Sequence, residues 1–306
     1  MALTGAALTV KSSGAMDILT RTAAPLAAAS SAAAPDLVAV MGGEPVAMFR
    51  KAIAEMGGMK AFVKRGQKVC VHPNIGWDKV PALAGNTNPD LVAEIVKQCL
   101  SAGAKEVTVF DHTCDDWVKC YANSGIEAAV KRAGGKVLPG HQESYYRTVQ
   151  LPRGKALKSA KVHQAVLDSD LWINVPILKN HGGANLTIAM KNHMGIVWDR
   201  GVFHRQNLQQ CIADICTMQK KATLNIVDAY RVMITNGPRG RNASDVVLAK
   251  GLFMSRDIVA VDTAAAKFFN QLHKMPLEDV QHIKRAEDLK LGTMDIDALN
   301  VKRIRL

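Results

Sequence analysis

The sequence predicts an α/β fold, a doubly wound and mostly parallel sheet built as two Rossmann-like lobes that pack together. Two observations lead to this prediction. After residue 36, short runs rich in β-branched residues alternate with amphipathic segments of helical period, which is the order typical of a parallel sheet covered on both faces. The length of 306 residues and the hydrophobic content of 48% are also sufficient for one large domain or two joined lobes.

The predicted strands are each bounded by Gly, Pro or polar residues. They are Val38–Met41, Val69–His72, Glu106–Phe110, Leu171–Pro176 and Leu224–Asp228. The clearest predicted helix is Pro89–Ala102, because Asn88 can cap it, Pro89 suits its first position and Gly103 follows its end. With the strands on either side, it completes a βαβ unit over residues 68–112. The other predicted helices are Gly125–Ala133, Leu208–Met218, Ile258–Leu272 and Leu277–Ala286.

Two boundaries are predicted along the chain. Residues 1–35 are rich in Ala, Ser and Thr, which suits the remnant of an export signal or a flexible arm. A trimmed signal would make the protein periplasmic, with the twin-arginine route as one possibility, whereas an arm would leave it cytoplasmic. The remaining residues 36–306 form the α/β domain. Its irregular stretch around residues 136–160 predicts a joint between lobes at 36–150 and 151–306.

The charge and motif content exclude several classes of protein. A formal net charge of +12, from 39 Lys and Arg against 27 Asp and Glu, favours a small anionic ligand. No nucleic-acid recognition motif accompanies the charge, and no run is apolar and long enough to span a membrane. The six cysteines form no Cys-x-x-Cys pair, and the motifs of serine hydrolases, P-loop NTPases and dinucleotide dehydrogenases are absent. The oligomeric state is left open.

Polar residues follow four of the predicted strands, at the edge where open α/β sheets bind ligands. The four runs are His72–Asn74, Asp111–Thr113, Lys179–His181 and Asp228–Tyr230. Any one of them could simply cap a helix or close a turn. Four such ends, three of them with a histidine, favour acid–base chemistry or metal ligation. Catalytic roles are predicted for Asp111, His112, His181 and Lys191.

The most informative segment is residues 173–199, which predicts a strand, a Gly-Gly loop and a helix from Leu186 to His193. Asn185 would cap that helix and Gly195 would end it, so that its first amides could bind a carboxylate or phosphate. Lysines on both sides of the loop could grip the same anion, although both could instead be solvated surface groups. The residues predicted to bind a cofactor or anion are Lys179, Asn180, Gly182, Gly183, Asn192 and Asn74.

Three histidines are candidate ligands for a divalent metal such as nickel, iron or zinc. They are His112, His181 and His204. No pair of histidines has the spacing of a zinc motif on one helix face, so the prediction depends on the fold bringing them together.

Four segments of the chain resemble the bacterial family known as domain of unknown function 362. The segments are residues 72–79, 86–111, 172–197 and 257–268. The resemblance implies an α/β fold, and export as in many members, but it assigns no chemistry. The family usually has Lys at the position of His72, so a positive charge is not expected there, although His72 can still donate a hydrogen bond.

The order of elements is also similar to the lactate racemase family, in which histidines and a lysine hold a nickel-pincer cofactor between two lobes. That similarity implies Lys191 or Lys179 as the anchor, and His112, His181 or His204 as ligands. The first hypothesis is therefore a metal- or cofactor-dependent isomerase or oxidoreductase that acts on a small anionic molecule. The alternatives are a non-catalytic exported protein that binds an anion or metal, and a basic protein that acts through its surface.

Overall fold

Twelve strands and ten α-helices make up the described chain, residues 33–306 of a computed structural model. The strands are β1 Leu37–Met41, β2 Lys68–Pro73, β3 Glu106–Val109, β4 Lys136–Val137, β5 Tyr146–Gln150, β6 Ser159–His163, β7 Leu171–Val175, β8 Ile177–His181, β9 Asn185–Thr187, β10 Leu224–Met233, β11 Val246–Ser255 and β12 Val301–Arg305. The helices are α1 Pro45–Glu55, α2 Pro89–Ser101, α3 Trp117–Asn123, α4 Ile126–Arg132, α5 Gln164–Leu167, α6 Ala189–Asn192, α7 Gly201–Arg205, α8 Leu208–Ile215, α9 Ile258–Leu272 and α10 Gln281–Asp288.

One large sheet contains ten of these strands, in the order β12-β1-β11-β10-β7-β2-β3-β4, with β8 paired to β10 and β9 to β8. The pairs β12-β1, β10-β7, β7-β2, β2-β3, β3-β4 and β10-β8 are parallel. The predicted α/β class with a mostly parallel sheet is therefore confirmed. This one sheet contains strands from both predicted stretches, and the division into lobes at 36–150 and 151–306 stays a prediction.

The two faces of the sheet are buried in two different hydrophobic cores, because successive side chains of a strand point to opposite faces. In β2, Val69 and Val71 belong to one core and Cys70 to the other. Helices α1, α2 and α4 cover the first face, and α8, α9 and α10 cover the second. This arrangement is the doubly wound layering that the sequence predicts.

Helix α2 forms for the reasons visible in its sequence. The Asn88 side chain accepts hydrogen bonds from the backbone N–H groups of Asp90 and Leu91, and Pro89 occupies the first turn. The helix ends at Ser101, and Gly103 follows in the left-handed region at φ +105°. The predicted helix is therefore confirmed to within one residue.

The predicted helix from Leu186 to His193 is wrong. Residues 177–187 instead form an antiparallel hairpin of β8 and β9, and only the short α6 follows it. The cause lies far along the chain, because the carboxylate of Asp262 accepts the N–H groups of Ala189 and Met190 and so starts the helix there. Asn185 is thus a strand residue, at φ +66°. The helix amides that would have bound an anion are already occupied.

Three smaller differences concern element boundaries. The predicted helix Leu277–Ala286 is a 3₁₀ turn at Leu277–Asp279 followed by α10. The predicted strand Leu224–Asp228 continues to Met233, so Asp228 does not lie at its end. Gly195 lies within a 3₁₀ turn, His193–Ile196, and does not cap a helix.

The predicted export segment, residues 1–35, lies almost entirely outside the described residues. Within residues 33–306, no helix combines the length and the apolar character needed to cross a membrane.

Candidate functional site

A cavity of about 410 Å³ lies at the carboxyl ends of β2 and β3, beside the β8–β9 hairpin. Three of the four predicted polar strand ends meet there, as expected for an open α/β sheet. The fourth does not, because Asp228 is inside β10, where its carboxylate accepts the N–H of Asn88 at 2.7 Å. The predicted site residues in the cavity wall are Asn74, Asp111, His112, Lys179, His181, Lys191, Asn192 and His204.

Three residues predicted to bind a cofactor do not line the cavity. The Asn180 side chain accepts the N–H of Gly237 at 2.9 Å, and the Gly182 N–H donates to the Gly237 carbonyl oxygen at 3.1 Å. Gly183 donates its N–H to the His181 ring. All three therefore hold the hairpin in place beside the cavity.

The two lysines are held differently, and neither is an ordinary solvated group. The Lys179 ammonium, 1% exposed, donates to Asn74 Oδ1 at 3.0 Å and to the Gly85 carbonyl oxygen at 2.5 Å. Burial lowers the pKa of Lys179 to about 7. Lys191 is half-buried and has no hydrogen-bond partner within residues 33–306. Burial, with the charge of Arg200 adding to it, lowers the pKa of Lys191 to about 8.

His181 is a neutral hydrogen-bond donor. Its Nδ1 accepts the backbone N–H groups of Gly183 and Ala184, both at 3.1 Å, so the ring proton is on Nε2. Burial, together with the charges of Lys191 and Lys179, lowers the pKa of His181 to about 2. The ring therefore stays uncharged and offers an N–H.

His112 has the opposite hydrogen-bonding character. Its Nδ1 donates to the Val197 carbonyl oxygen at 2.9 Å, which leaves Nε2 as the unprotonated nitrogen. The ring is stacked on Trp198, with centroids 5.0 Å apart and planes 6° from parallel. Burial and the charge of Arg200 lower the pKa of His112, so the ring is a neutral base at pH 7.

Asp111 is 2% exposed and is held from two sides. Its Oδ1 pairs with His72 Nε2 at 3.1 Å, and its Oδ2 accepts the N–H of Ile75 at 2.6 Å. Because Asn192 donates to His72 Nδ1 at 3.2 Å, the His72 ring donates through Nε2. The hydrogen bond expected of His72 is thus present. Gly195 packs against this pair so closely that a Cβ there would lie 2.0 Å from Asp111 Oδ1.

The predicted metal ligands share the cavity but do not form a ready site. Within residues 33–306, no group of three or more His, Cys, Asp or Glu side chains is arranged to hold a metal ion. His181 offers no lone pair in this orientation, and His204 is exposed. The donor set as arranged does not fit a metal, and a nickel, iron or zinc site stays a prediction.

Two residues that are not among the predicted site residues complete the cavity. The Arg200 guanidinium donates to the carbonyl oxygens of His112 at 2.8 Å and Thr113 at 2.7 Å, which places it in the cavity wall. Arg200 lies one residue after residues 173–199, the segment in which most of the site was predicted. Thr187 is 2% exposed, and its hydroxyl has no partner among residues 33–306. The spacing of Thr187 and Lys191 fits one face of the predicted helix, but Thr187 reaches the wall from β9 instead.

Comparisons with known proteins agree with the family resemblance. A family model described as domain of unknown function (DUF362) matches residues 69–267, more than half of the chain. The thylakoid-associated protein sll1697 of Synechocystis sp. is 25% identical over 227 residues, which are 72% of this chain and 68% of that protein. The lactate racemase apoprotein structure from Thermoanaerobacterium thermosaccharolyticum is 13% identical, with a TM-score of 0.48, over 76% of this chain and 56% of the racemase chain.

Proposed function

The chain belongs to the DUF362 family, and we propose that it is an enzyme that binds a small anionic molecule and moves a proton on that molecule. One observation carries the proposal. A cavity rich in cations holds two neutral histidines of opposite character, His181 as a hydrogen-bond donor and His112 as a base. The volume of about 410 Å³ is in the range of small-molecule sites, roughly 300–1,000 Å³.

Anion binding is supported by the unused donors in the cavity wall. Lys191 and the Thr187 hydroxyl have no hydrogen-bond partners among residues 33–306, and Arg200 stands beside them. Both oxygens of the Asp111 carboxylate accept from His72 and Ile75, so Asp111 is not the hydrogen-bond acceptor of these donors, although its charge favours the charged form of Lys191. A bound carboxylate would supply the missing acceptor, and each charge-assisted hydrogen bond contributes about 1.5–3 kcal/mol.

Proton transfer is supported by the two ring tautomers. In the proposed step, His112 Nε2 takes a proton from the carbon next to the bound carboxylate and returns it to the same or a neighbouring carbon. Meanwhile the His181 N–H and the Lys191 ammonium stabilise the negative charge on oxygen. The step needs no other reactant, so it is an isomerisation.

A non-catalytic anion-binding protein is the second candidate. The observation that favours it is that the Lys179 side chain already donates to two oxygen acceptors, so it is not free to act on a bound molecule. The two candidates differ only in what His112 does.

The test separates binding from turnover. We would measure the binding of small mono- and dicarboxylates by calorimetry, and the exchange of carbon-bound hydrogen in D₂O by NMR for those that bind. Lys191→Met should weaken binding by about tenfold or more. His112→Gln should leave binding within about twofold but slow the exchange by about a hundredfold or more. No exchange above the uncatalysed rate with any bound carboxylate would refute the enzyme proposal, and exchange at the wild-type rate in His112→Gln would refute His112 as its base. Wild-type affinity in Lys191→Met would refute the anion site.

Export is the remaining part of the proposal. It is supported by the composition of residues 1–35 and by the resemblance to a family in which many members look exported. Fractionation of the native cells with N-terminal sequencing of the mature chain tests it, and an intact N-terminus in the cytoplasm would contradict it.

A further inference from the structure

A second, smaller cavity of about 170 Å³ lies apart from the first, and its wall is strongly basic. Four exposed cations surround its opening, and none of them forms an ion pair with a carboxylate of residues 33–306. These cations are Arg153, Lys221, Arg256 and Lys290. The buried side chains of His193 and Asn225 also line it.

A row of four asparagines, of which all but Asn74 are buried, connects the first cavity to this one. Lys179 Nζ donates to Asn74 Oδ1 at 3.0 Å, and Asn74 Nδ2 donates to Asn192 Oδ1 at 2.9 Å. Asn192 Nδ2 then donates to Asn174 Oδ1 at 2.9 Å, and Asn174 Nδ2 donates to Asn225 Oδ1 at 3.0 Å. Every amide in the row therefore passes its hydrogen bond in the same direction.

This direction is fixed within the row. Asn174 Nδ2 also donates to the Ala189 carbonyl oxygen at 3.0 Å, and a carbonyl oxygen can only accept. The same NH₂ group meets Asn225, which must therefore accept with its oxygen. Asn225 consequently presents its NH₂ group at the end of the row. That group is buried, in a residue that is 1% exposed, and it has no acceptor among residues 33–306. A buried donor without an acceptor costs about 1–3 kcal/mol.

His193 adds a second buried atom without a partner. Its Nδ1 contacts Cys216 Sγ at 3.3 Å, whereas its Nε2 has no partner in the described part of the chain. Burial lowers the pKa of His193 well below its usual range, so the ring contributes a hydrogen-bonding atom without a charge. One or two waters could satisfy His193 and Asn225, whereas an anion would satisfy Asn225 and also be attracted by the four cations.

We propose that this second cavity binds a small tetrahedral oxyanion of the size of inorganic phosphate, which accepts from Asn225 Nδ2 and is held by the surrounding cations. The volume suits such an ion, since it is about half of the roughly 300 Å³ at which ordinary small-molecule sites begin. The site goes beyond the proposed function and does not depend on it. Because the asparagine row starts at Lys179, the two cavities share one hydrogen-bond network.

The test is calorimetric titration of the whole chain with inorganic phosphate at low salt. Lys221→Met with Lys290→Met removes two cations of the cavity, and Lys267→Met with Lys274→Met removes two exposed lysines elsewhere. The first pair should weaken phosphate binding by about tenfold or more, and the second by less than about twofold. Lys191→Met reports on the first cavity and should leave this binding unchanged. Circular dichroism checks that all variants are folded.

Three results would overturn the proposal. The wild-type chain could show no saturable phosphate binding, in which case water fills the cavity. The two double variants could weaken binding equally, which would make the effect one of net charge. Lys191→Met could abolish all binding, which would assign the phosphate to the first cavity and leave the proposed function standing.

Discussion

Replacement of Gly195 by alanine should disrupt the centre of the site although it replaces none of the charged side chains. The new Cβ would lie 2.0 Å from Asp111 Oδ1 and 2.8 Å from His72 Nε2, both far inside van der Waals contact. Neither partner can move aside easily, because both are buried and Asp111 is also held by the Ile75 N–H. The His72–Asp111 pair must therefore separate, or the turn that carries Gly195 must shift.

The expected loss of stability can be worked out from these two ways of relieving the clash. Overpacking of a close-packed interior costs about 1–3 kcal/mol, and loss of a hydrogen bond to a charged group costs about 1.5–3 kcal/mol. We expect Gly195→Ala to lower the free energy of unfolding by about 3 kcal/mol. For a chain of this size, that is roughly 5 °C in the melting temperature.

The assay is urea denaturation followed by circular dichroism, with Gly182→Ala as the matched control. A Cβ at Gly182 would meet only the Gly237 carbonyl oxygen, at 3.8 Å, so the control should change stability by less than about 0.5 kcal/mol. If Gly195→Ala is as stable as the control, the close packing against the His72–Asp111 pair does not exist as described.

Four further predictions concern anion affinity, the pH dependence of stability, the cap of α6 and metal content. Anion affinity should fall as pH rises above about 8, because Lys191 loses its proton there; a calorimetric affinity that is flat from pH 7 to 9 would contradict this. A lysine whose folded pKa lies below its unfolded value destabilises the fold at low pH, so the stability of wild type relative to Lys179→Met should rise by about 1.4 kcal/mol per pH unit between pH 7 and 10 in urea titrations. Asp262→Ala leaves two buried N–H groups without acceptors and should cost about 2–6 kcal/mol of unfolding free energy, whereas Asp262→Asn keeps one acceptor and should cost less. Plasma mass spectrometry of protein purified from its native host without chelators should find no stoichiometric metal; stoichiometric nickel, iron or zinc that is lost in His112→Ala and in His181→Ala would show that the rings rearrange.

The elements that were predicted correctly are determined by residues close to one another in the sequence. Helix α2 has its cap, its proline and its glycine within its own sixteen residues, from Asn88 to Gly103, so its bounds could be inferred directly. The convergence of three polar strand ends followed from one topological rule about parallel sheets. These signals needed no knowledge of distant contacts.

The segment after β8 was predicted wrongly because its structure depends on distant residues. Asp262 caps α6 from a helix more than seventy residues away, and no local pattern reveals such a cap. The same error placed Thr187 on a helix, whereas it lies in β9. The asparagine row could not be predicted either, since its links join residues of one loop, one helix and two strands that are distant in sequence.

The hydrogen bonds of His181 Nδ1 bear on whether the first cavity binds an anion or a metal ion more favourably. For His181 to ligate a metal, its ring must give up the two backbone N–H groups that Nδ1 accepts, at a cost of about 1–3 kcal/mol for each donor left buried. The incoming cation would also stand near Lys191 and Lys179, and those charges repel it. An anion meets neither cost, because it accepts the existing Nε2–H and is attracted by both lysines. The local backbone of the β8–β9 turn, by fixing the His181 tautomer, therefore favours an anionic ligand over a metal ion.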